Sequence, residues 1–151
     1  MTDRDRIAAL LRAHDIQPSA QRLAIAAFVL GSGDHPTAEQ VHRAVTATLP
    51  MVSRATVYNT LKLLVERGLL DQHRVDDGPA LYDPNVHHHH HLIDEDTGHV
   101  VDIPADAIEV TRFDEPAGYE VLSYTVTVRG RRRDAGTETP RSAAGDDVRD
   151  G

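Results

Sequence analysis

Five consecutive histidines, His87-His88-His89-His90-His91, account for half of the ten histidines in the chain. Neutral imidazole is the commonest protein ligand for zinc, iron, nickel and copper. In an extended backbone, successive side chains point to opposite faces. The run then presents His87, His89 and His91 on one side and His88 and His90 on the other, so one strand can feed two metal sites. Asp83 lies just upstream and Asp102 downstream, each able to complete a mixed nitrogen and oxygen site. A polyhistidine tract can also be a purification tag or low-complexity filler. This run is internal, however, and abuts Leu92-Ile93 and, past Gly98, Val100-Val101-Asp102-Ile103. That pattern reads as strand, turn, strand.

The elements that must position these ligands come from both sides. Upstream, Ile7, Leu10, Leu11 and His14 recur at helical spacing and predict an amphipathic helix over 4–14. Ser19 follows Pro18 and caps a second helix, with Leu23, Ala26, Ala27 and Leu30 as its apolar positions and Gly31-Ser32-Gly33 as its end. Thr37-Ala38-Glu39-Gln40 is a capping box that opens a third helix running to about Thr48, with Ala38, Val41, Ala44 and Val45 inward. Ser53 caps a fourth helix over 54–67, closed by Gly68, with Val57, Leu61, Leu64 and Val65 inward and Arg54, Tyr58, Asn59 and Lys62 outward. A strand over 69–75, a turn at Asp76-Asp77-Gly78-Pro79 and a return strand over 80–83 complete a helical module with a two-stranded wing. This is the order of a winged helix-turn-helix, whose last helix enters the major groove of double-stranded DNA. Arg54 and Lys62 suit phosphate or guanine, Asn59 adenine, and Tyr58 a thymine methyl.

Downstream of the run the pattern is different. Strands are predicted at 92–94 and 99–103, a helical turn or two over 104–110 with Pro104 at its first position, and a strand over 119–128, where apolar and polar residues alternate. So few strands cannot bury a core alone, and a second copy of the chain would supply it. The fold class is therefore α+β. The winged helix occupies 1–83, a hinge and metal-binding segment 84–91, and a small α/β dimerisation domain 92–129. A tail poor in apolar residues, 130–151, reads as disordered.

Composition sets the outer limits. The chain has 151 residues, 40% of them apolar, and no cysteine, which excludes disulfides, thiolate catalysis and cysteine-bound structural zinc. No apolar run reaches the roughly 18 residues of a membrane span, and the first residues lack the form of a signal peptide, so the expected location is the cytoplasm. The net charge of -8 is uneven: residues 1–83 carry 9 basic and 10 acidic side chains, residues 84–151 carry 7 and 14. The near-neutral first part leaves room for a local basic face.

With these motifs in view, Pro18-Ser19-Ala20-Gln21-Arg22, His35-Pro36-Thr37-Ala38-Glu39, Ser53-Arg54-Ala55-Thr56-Val57-Tyr58-Asn59-Thr60-Leu61, Gly68-Leu69 and the histidine run followed by Gly98-His99-Val100-Val101-Asp102, the chain resembles the ferric uptake regulator (Fur) superfamily over about residues 5–129. The resemblance implies a cytoplasmic, homodimeric, metal-responsive transcription regulator, a repressor, with a sensing site formed by His35, Asp83, His89, His91 and Asp102. It implies a second site at His88, His90 and Glu109, whose usual fourth ligand is replaced here by Tyr124. The DNA-facing set comprises Arg22, Ser53, Arg54, Thr56, Tyr58, Asn59 and Lys62, with Arg22 directed at phosphate. The superfamily's common structural zinc needs a cysteine pair, and Asp94 and Thr97 stand at those positions. Stretches such as Asp102-Ile103-Pro104-Ala105-Asp106-Ala107-Ile108 are similar to the cysteine-free iron response regulator (Irr) branch, which implies haem binding at the run. Asp83 and Asp102 are similar to the ligands of the peroxide-sensing (PerR) branch. The cofactor expected is a divalent Fe, Mn or Zn ion, and the signal is iron, manganese, haem or peroxide status, or zinc in a zinc-uptake regulator. A metal- or haem-buffering dimer and a metallohydrolase using Asp94 or Glu95 as base are the alternatives. No His-Glu-x-x-His motif supports the hydrolase.

Overall fold

The computed structural model describes residues 1–133. Four helices come first: α1 (Asp3–Ala13), α2 (Ala20–Gly31), α3 (Ala38–Thr46) and α4 (Arg54–Glu66). Their starts follow from local chemistry. Thr37 accepts from the Gln40 amide while the Gln40 side chain accepts from the Thr37 amide, a closed capping box. Ser19 and Ser53 cap α2 and α4 by accepting from the Arg22 and Thr56 amides. Each such cap contributes about 1 kcal/mol. Helix α1 has a further box, between Thr2 and Asp5. Helix α4 ends where Gly68 takes φ +77, a left-handed conformation that favours glycine.

The helices share one apolar core, which contains Leu11, Ile25, Val29, Val41, Val57, Leu61 and Leu64. In α2 the expected inward face is rotated. Ala26 is buried, but Ile25 and Val29 fill the core while Ala27 is exposed. Residues 23–30 are all apolar, so periodicity alone could not set the phase. Ala44 and Val65 are likewise half-buried rather than central.

The wing is an antiparallel hairpin of β1 (Asp71–Arg74) and β2 (Ala80–Asp83), in the register Asp71↔Asp83 and His73↔Leu81. It is tied back to the loop before α3 by Tyr82 N–H donating to Pro36 O at 3.0 Å and by a bridge between Thr37 and Leu81. The second sheet has the order β4-β3-β5, with β3 (His89–Asp94) in the middle. β4 (Val100–Pro104) pairs with it antiparallel, and β5 (Thr127–Gly130) pairs with it parallel.

Three expectations are corrected here. The helical segment over 104–110 is one 3-10 turn, Ala105–Ala107, with Pro104 at its N-cap. The strand expected over 119–128 is confined to Thr127–Gly130, and residues 119–125 have no ladder partner among the described residues. Alternation in the sequence marks two distinct faces, but a strand also needs a neighbour for its backbone groups. The expected tail begins too early, because Gly130 belongs to β5 and Arg131 and Arg132 lie 3.3 and 3.9 Å from Asp96 and Asp94. The remainder of that segment lies outside the described residues.

The second half buries little apolar surface. Ile93 and Val100 are its only buried apolar residues among those described, while Phe113, Tyr119 and Leu122 are 61%, 73% and 87% exposed. Arg129 of β5 reaches across to the wing turn, where it meets Asp76 at 2.7 Å, and also holds Glu95 at 2.8 Å.

Candidate metal centre

Strand β3 places its histidines as alternation requires. His89 and His91 turn toward the wing, and His90 turns the other way. His87 and His88 precede the strand and are exposed. Facing β3, the wing hairpin ends at Asp83, and the loop before α3 delivers His35. That residue sits at φ +50, a left-handed conformation costing a non-glycine residue on the order of 1 kcal/mol. The Tyr82–Pro36 hydrogen bond next door holds the loop in place. Asp102 comes from β4, directly opposite His91 in the ladder.

The resulting constellation is dense. Asp83 Oδ2 lies 3.0 Å from His35 Nε2, 2.9 Å from His89 Nε2, 3.7 Å from His73 Nε2 and 3.9 Å from His91 Nε2. Asp102 Oδ1 lies 2.7 Å from His35 Nε2, 3.3 Å from His89 Nε2 and 3.6 Å from His91 Nε2. Asn85 orients both carboxylates. Its backbone N–H donates to Asp83 Oδ1 at 2.8 Å, and its side-chain amide donates to Asp102 Oδ2 at 3.3 Å. The His87 carbonyl accepts from His89 Nδ1, which leaves Nε2 to face the centre. Such outer hydrogen bonds fix ligand tautomer and direction in metal sites.

Charge balance favours a cation. Burial works to raise the Asp83 carboxyl, but the facing imidazoles of His35 and His73 and the Asn85 amide outweigh it and hold the group well below the usual carboxylate range. The hydrogen bond to Asp83, aided by Asp102, raises His35 despite its burial. Burial, with His73 and His89 alongside, pushes His91 down to about 4. His91 is therefore neutral near pH 7 with a lone pair to offer. The Nε2 atoms of His73 and His91 are buried and have no hydrogen-bond partner among the described residues. Buried polar atoms are normally satisfied. A divalent cation among these side chains would satisfy the orphaned nitrogens and both carboxylates together, so the donor set fits a metal.

Of the residues named from sequence for the sensing site, His35, Asp83, His89, His91 and Asp102 converge. His73 joins them and was not anticipated. It is a lone histidine on a polar strand, yet it stands two residues from Asp71, the ladder partner of Asp83, and so shares Asp83's face. That parity was the available signal. The residues named for the second site stand apart. His90 is fully buried, stacks on Tyr124 with ring centroids 5.8 Å apart, and accepts from Val126 N–H at 3.1 Å through Nδ1. His88 meets both rings edge-on. Among the described residues, the potential metal-holding clusters include neither these two histidines nor the exposed Glu109. At the cysteine-pair positions, Asp94 accepts from the Asp96 amide at 2.9 Å and shapes the β3–β4 turn.

The residues named for DNA lie on α2 and α4. Arg22, Thr56 and Asn59 line one recess of about 390 Å³ between these helices. Tyr58 is half exposed, Arg54 pairs with Glu39 at 3.0 Å, and Lys62 lies 3.8 Å from Glu66. Ser53 is engaged as the α4 cap.

Fold and site together define a winged-helix protein with a histidine- and aspartate-lined centre between its wing and its second sheet. The chain belongs to the ferric uptake regulator family, whose pattern it matches over residues 13–129. The peroxide-responsive repressor PerR of Staphylococcus aureus (strain Mu50 / ATCC 700699) is 35% identical to it over 94 residues, 62% of this chain and 64% of that protein. The chain thus spans about 64% of the length of the curated relatives it matches. The fold superposes on a zinc-bound manganese uptake regulator with a TM-score of 0.61 at 25% identity, covering 87% of this chain and 100% of that one. It also superposes on the Pseudomonas aeruginosa ferric uptake regulator with manganese, with a TM-score of 0.63 at 25% identity, covering 83% and 96%.

Proposed function

We propose that the chain is a metal-responsive, DNA-binding transcriptional repressor acting as a homodimer. In this reading residues 1–83 bind operator DNA, 84–91 form the hinge, and 92–129 dimerise. His35, Asp83, His89, His91 and Asp102 would hold a divalent Fe, Mn or Zn ion. When bound, the ion supplies a cross-link between the wing side and β3–β4, fixing their relative orientation. The chain's own residues do the rest. Asn85 aims both carboxylates, and the His87 carbonyl fixes the His89 tautomer. The outward residues of α4 meet base edges, while Arg22 meets phosphate. Two recognition helices in a dimer must match half-sites about one helical turn apart or a multiple of it. An interdomain ion can therefore decide whether the operator fits.

The observation that carries this reading is the orphaned Nε2 of His91, grouped with His35 and facing the Asp83 and Asp102 carboxylates beneath a winged helix. The relatives support it: one carries the name of a peroxide-responsive repressor, another that of a zinc-bound manganese uptake regulator. No described helix is long and apolar enough to cross a membrane. The test is selection of duplex sites from a random DNA library with Mn(II), with Zn(II), or with chelator. Enrichment of one two-fold-symmetric site in a metal-dependent manner is expected. Equal, sequence-independent retention in all three conditions would refute it.

A further inference from the structure

The centre holds two overlapping ligand groups. His73, Asp83, His89 and His91 bring their donor atoms within 4.8 Å of one another, and so do His35, Asp83, His91 and Asp102. Asp83 and His91 belong to both. The first group offers three nitrogens and one oxygen, the second two nitrogens and two oxygens. The rings of His73 and His91 lie 4.3 Å apart, and those of His73 and His89 5.8 Å apart. The buried Nε2 of His73 has no partner among the described residues, although its strand, β1, is polar throughout and alternates half-buried and exposed residues.

We propose that His73 is a metal ligand that gives the centre a second, nitrogen-rich coordination mode, so that this one cleft separates zinc from manganese and iron by which group closes on the ion. This rests on the metal-sensing reading above. Four donors rich in imidazole suit tetrahedral zinc, whereas carboxylates favour the harder Mn(II) and higher coordination numbers. The shared Asp83 and His91 cannot serve both groups at once. Occupation by zinc through His73 and His89 therefore competes with occupation through His35 and Asp102. His73 reaches the centre from β1, and His35 from the loop before α3. The two modes thus engage different parts of the DNA-binding half.

The full-length protein is titrated with Zn(II) and with Mn(II) in competition with a metal-binding dye, in wild type, His73→Ala, His73→Asn, Asp102→Asn and His91→Ala. Far-UV circular dichroism of each metal-free variant checks folding, and the asparagine variant keeps a polar side chain on the hairpin. His73→Ala and His73→Asn are expected to weaken Zn(II) binding by at least about tenfold, the low end of what supporting groups of metal sites contribute, and to change Mn(II) binding far less. Asp102→Asn is expected to do the reverse. The visible absorption of the Co(II) form, strong in tetrahedral sites and weak at higher coordination, should fall in His73→Ala. Equal losses for both metals in His73→Ala, or no loss for either, would overturn the assignment of His73 while leaving the metal-sensing reading intact. Retention of both metals by His91→Ala would overturn that reading and the inference with it.

Discussion

Replacing either of two adjacent histidines should produce opposite signatures. His91 and His90 are both buried on β3 but face different sides. In His91→Ala, the lost ring is one whose Nε2 has no partner, so the metal-free protein gives up packing but no hydrogen bond at that atom. What disappears is the ligand. An ion bound only by the folded state stabilises it by RT ln(1 + [L]/Kd), about 2.7 kcal/mol at a hundredfold excess over Kd. For a chain of this size, 1 kcal/mol moves Tm by about 2–4 °C, so wild type should gain roughly 5–11 °C on metal addition. His91→Ala should gain almost none of it. His90→Ala removes the acceptor of the Val126 amide and the partner of the Tyr124 ring. Leaving that amide unsatisfied costs about 1–3 kcal/mol, with a cavity term in addition. Its metal-free Tm should therefore drop, yet the increment on adding Mn(II) or Zn(II) should persist. The assay is thermal unfolding at fixed protein concentration, with and without metal. If His90→Ala loses the increment and His91→Ala keeps it, the assignment of the two faces is wrong.

Further outcomes follow from the same contacts. Metal-free stability should peak near pH 6.5, as read from urea midpoints between pH 4 and 8. The raised His35 contributes stability that is full below its unfolded value of about 6.5 and fades as pH rises through its folded value. The depressed His91 costs nothing above about 6.5 and erodes stability as pH falls toward 4, so His91→Ala should flatten the acid side of the curve. Tyr58→Ala should weaken binding to the selected operator by about 1–3 kcal/mol, the usual loss of a base contact, and Arg22→Ala should lower the salt slope by about one; unchanged affinity and slope in gel-shift titrations would remove both from the interface. If the proposed homodimer closes over this face, Leu122→Asp should shift it toward monomer in light scattering, because Leu122 is 87% exposed on a half with almost no core of its own; an unchanged oligomeric state would move the proposed interface elsewhere.

The elements that sequence revealed best were those whose determinants are local. The Thr37 box, the Ser53 cap and the return strand over 80–83 depend on hydrogen bonds and turn chemistry within a few residues. The same holds for the split of His89 and His91 from His90, which needs only the alternation of an extended chain. The convergence of His35 and Asp102, 67 residues apart, was legible only through resemblance, because no periodicity reports on tertiary approach. His73 escaped notice since a single histidine in Asp-Gln-His-Arg resembles any solvated hairpin, and only the ladder register reveals its face. Segment 119–126 was misread for the opposite reason: its alternation describes two faces, and alternation alone does not supply the neighbouring strand that would make it a ladder.

The position of β3 in the middle of its sheet bears on how quickly and cleanly such a protein can respond. Its backbone is laddered to β4 on one edge and β5 on the other, and His91 N–H also donates to Val126 O at 3.1 Å. The imidazoles are thus mounted on a rail held from both sides, and gaining or losing an ion need not order or melt that rail. Slow amide exchange across 91–94 should persist whatever the metal content, with any change confined to the loop at His35 and the wing. In the proposed metal-responsive role, the pace of the response would then be governed by ligand exchange at the ion and by rotation of stiff bodies, not by refolding of the strand that carries His89 and His91.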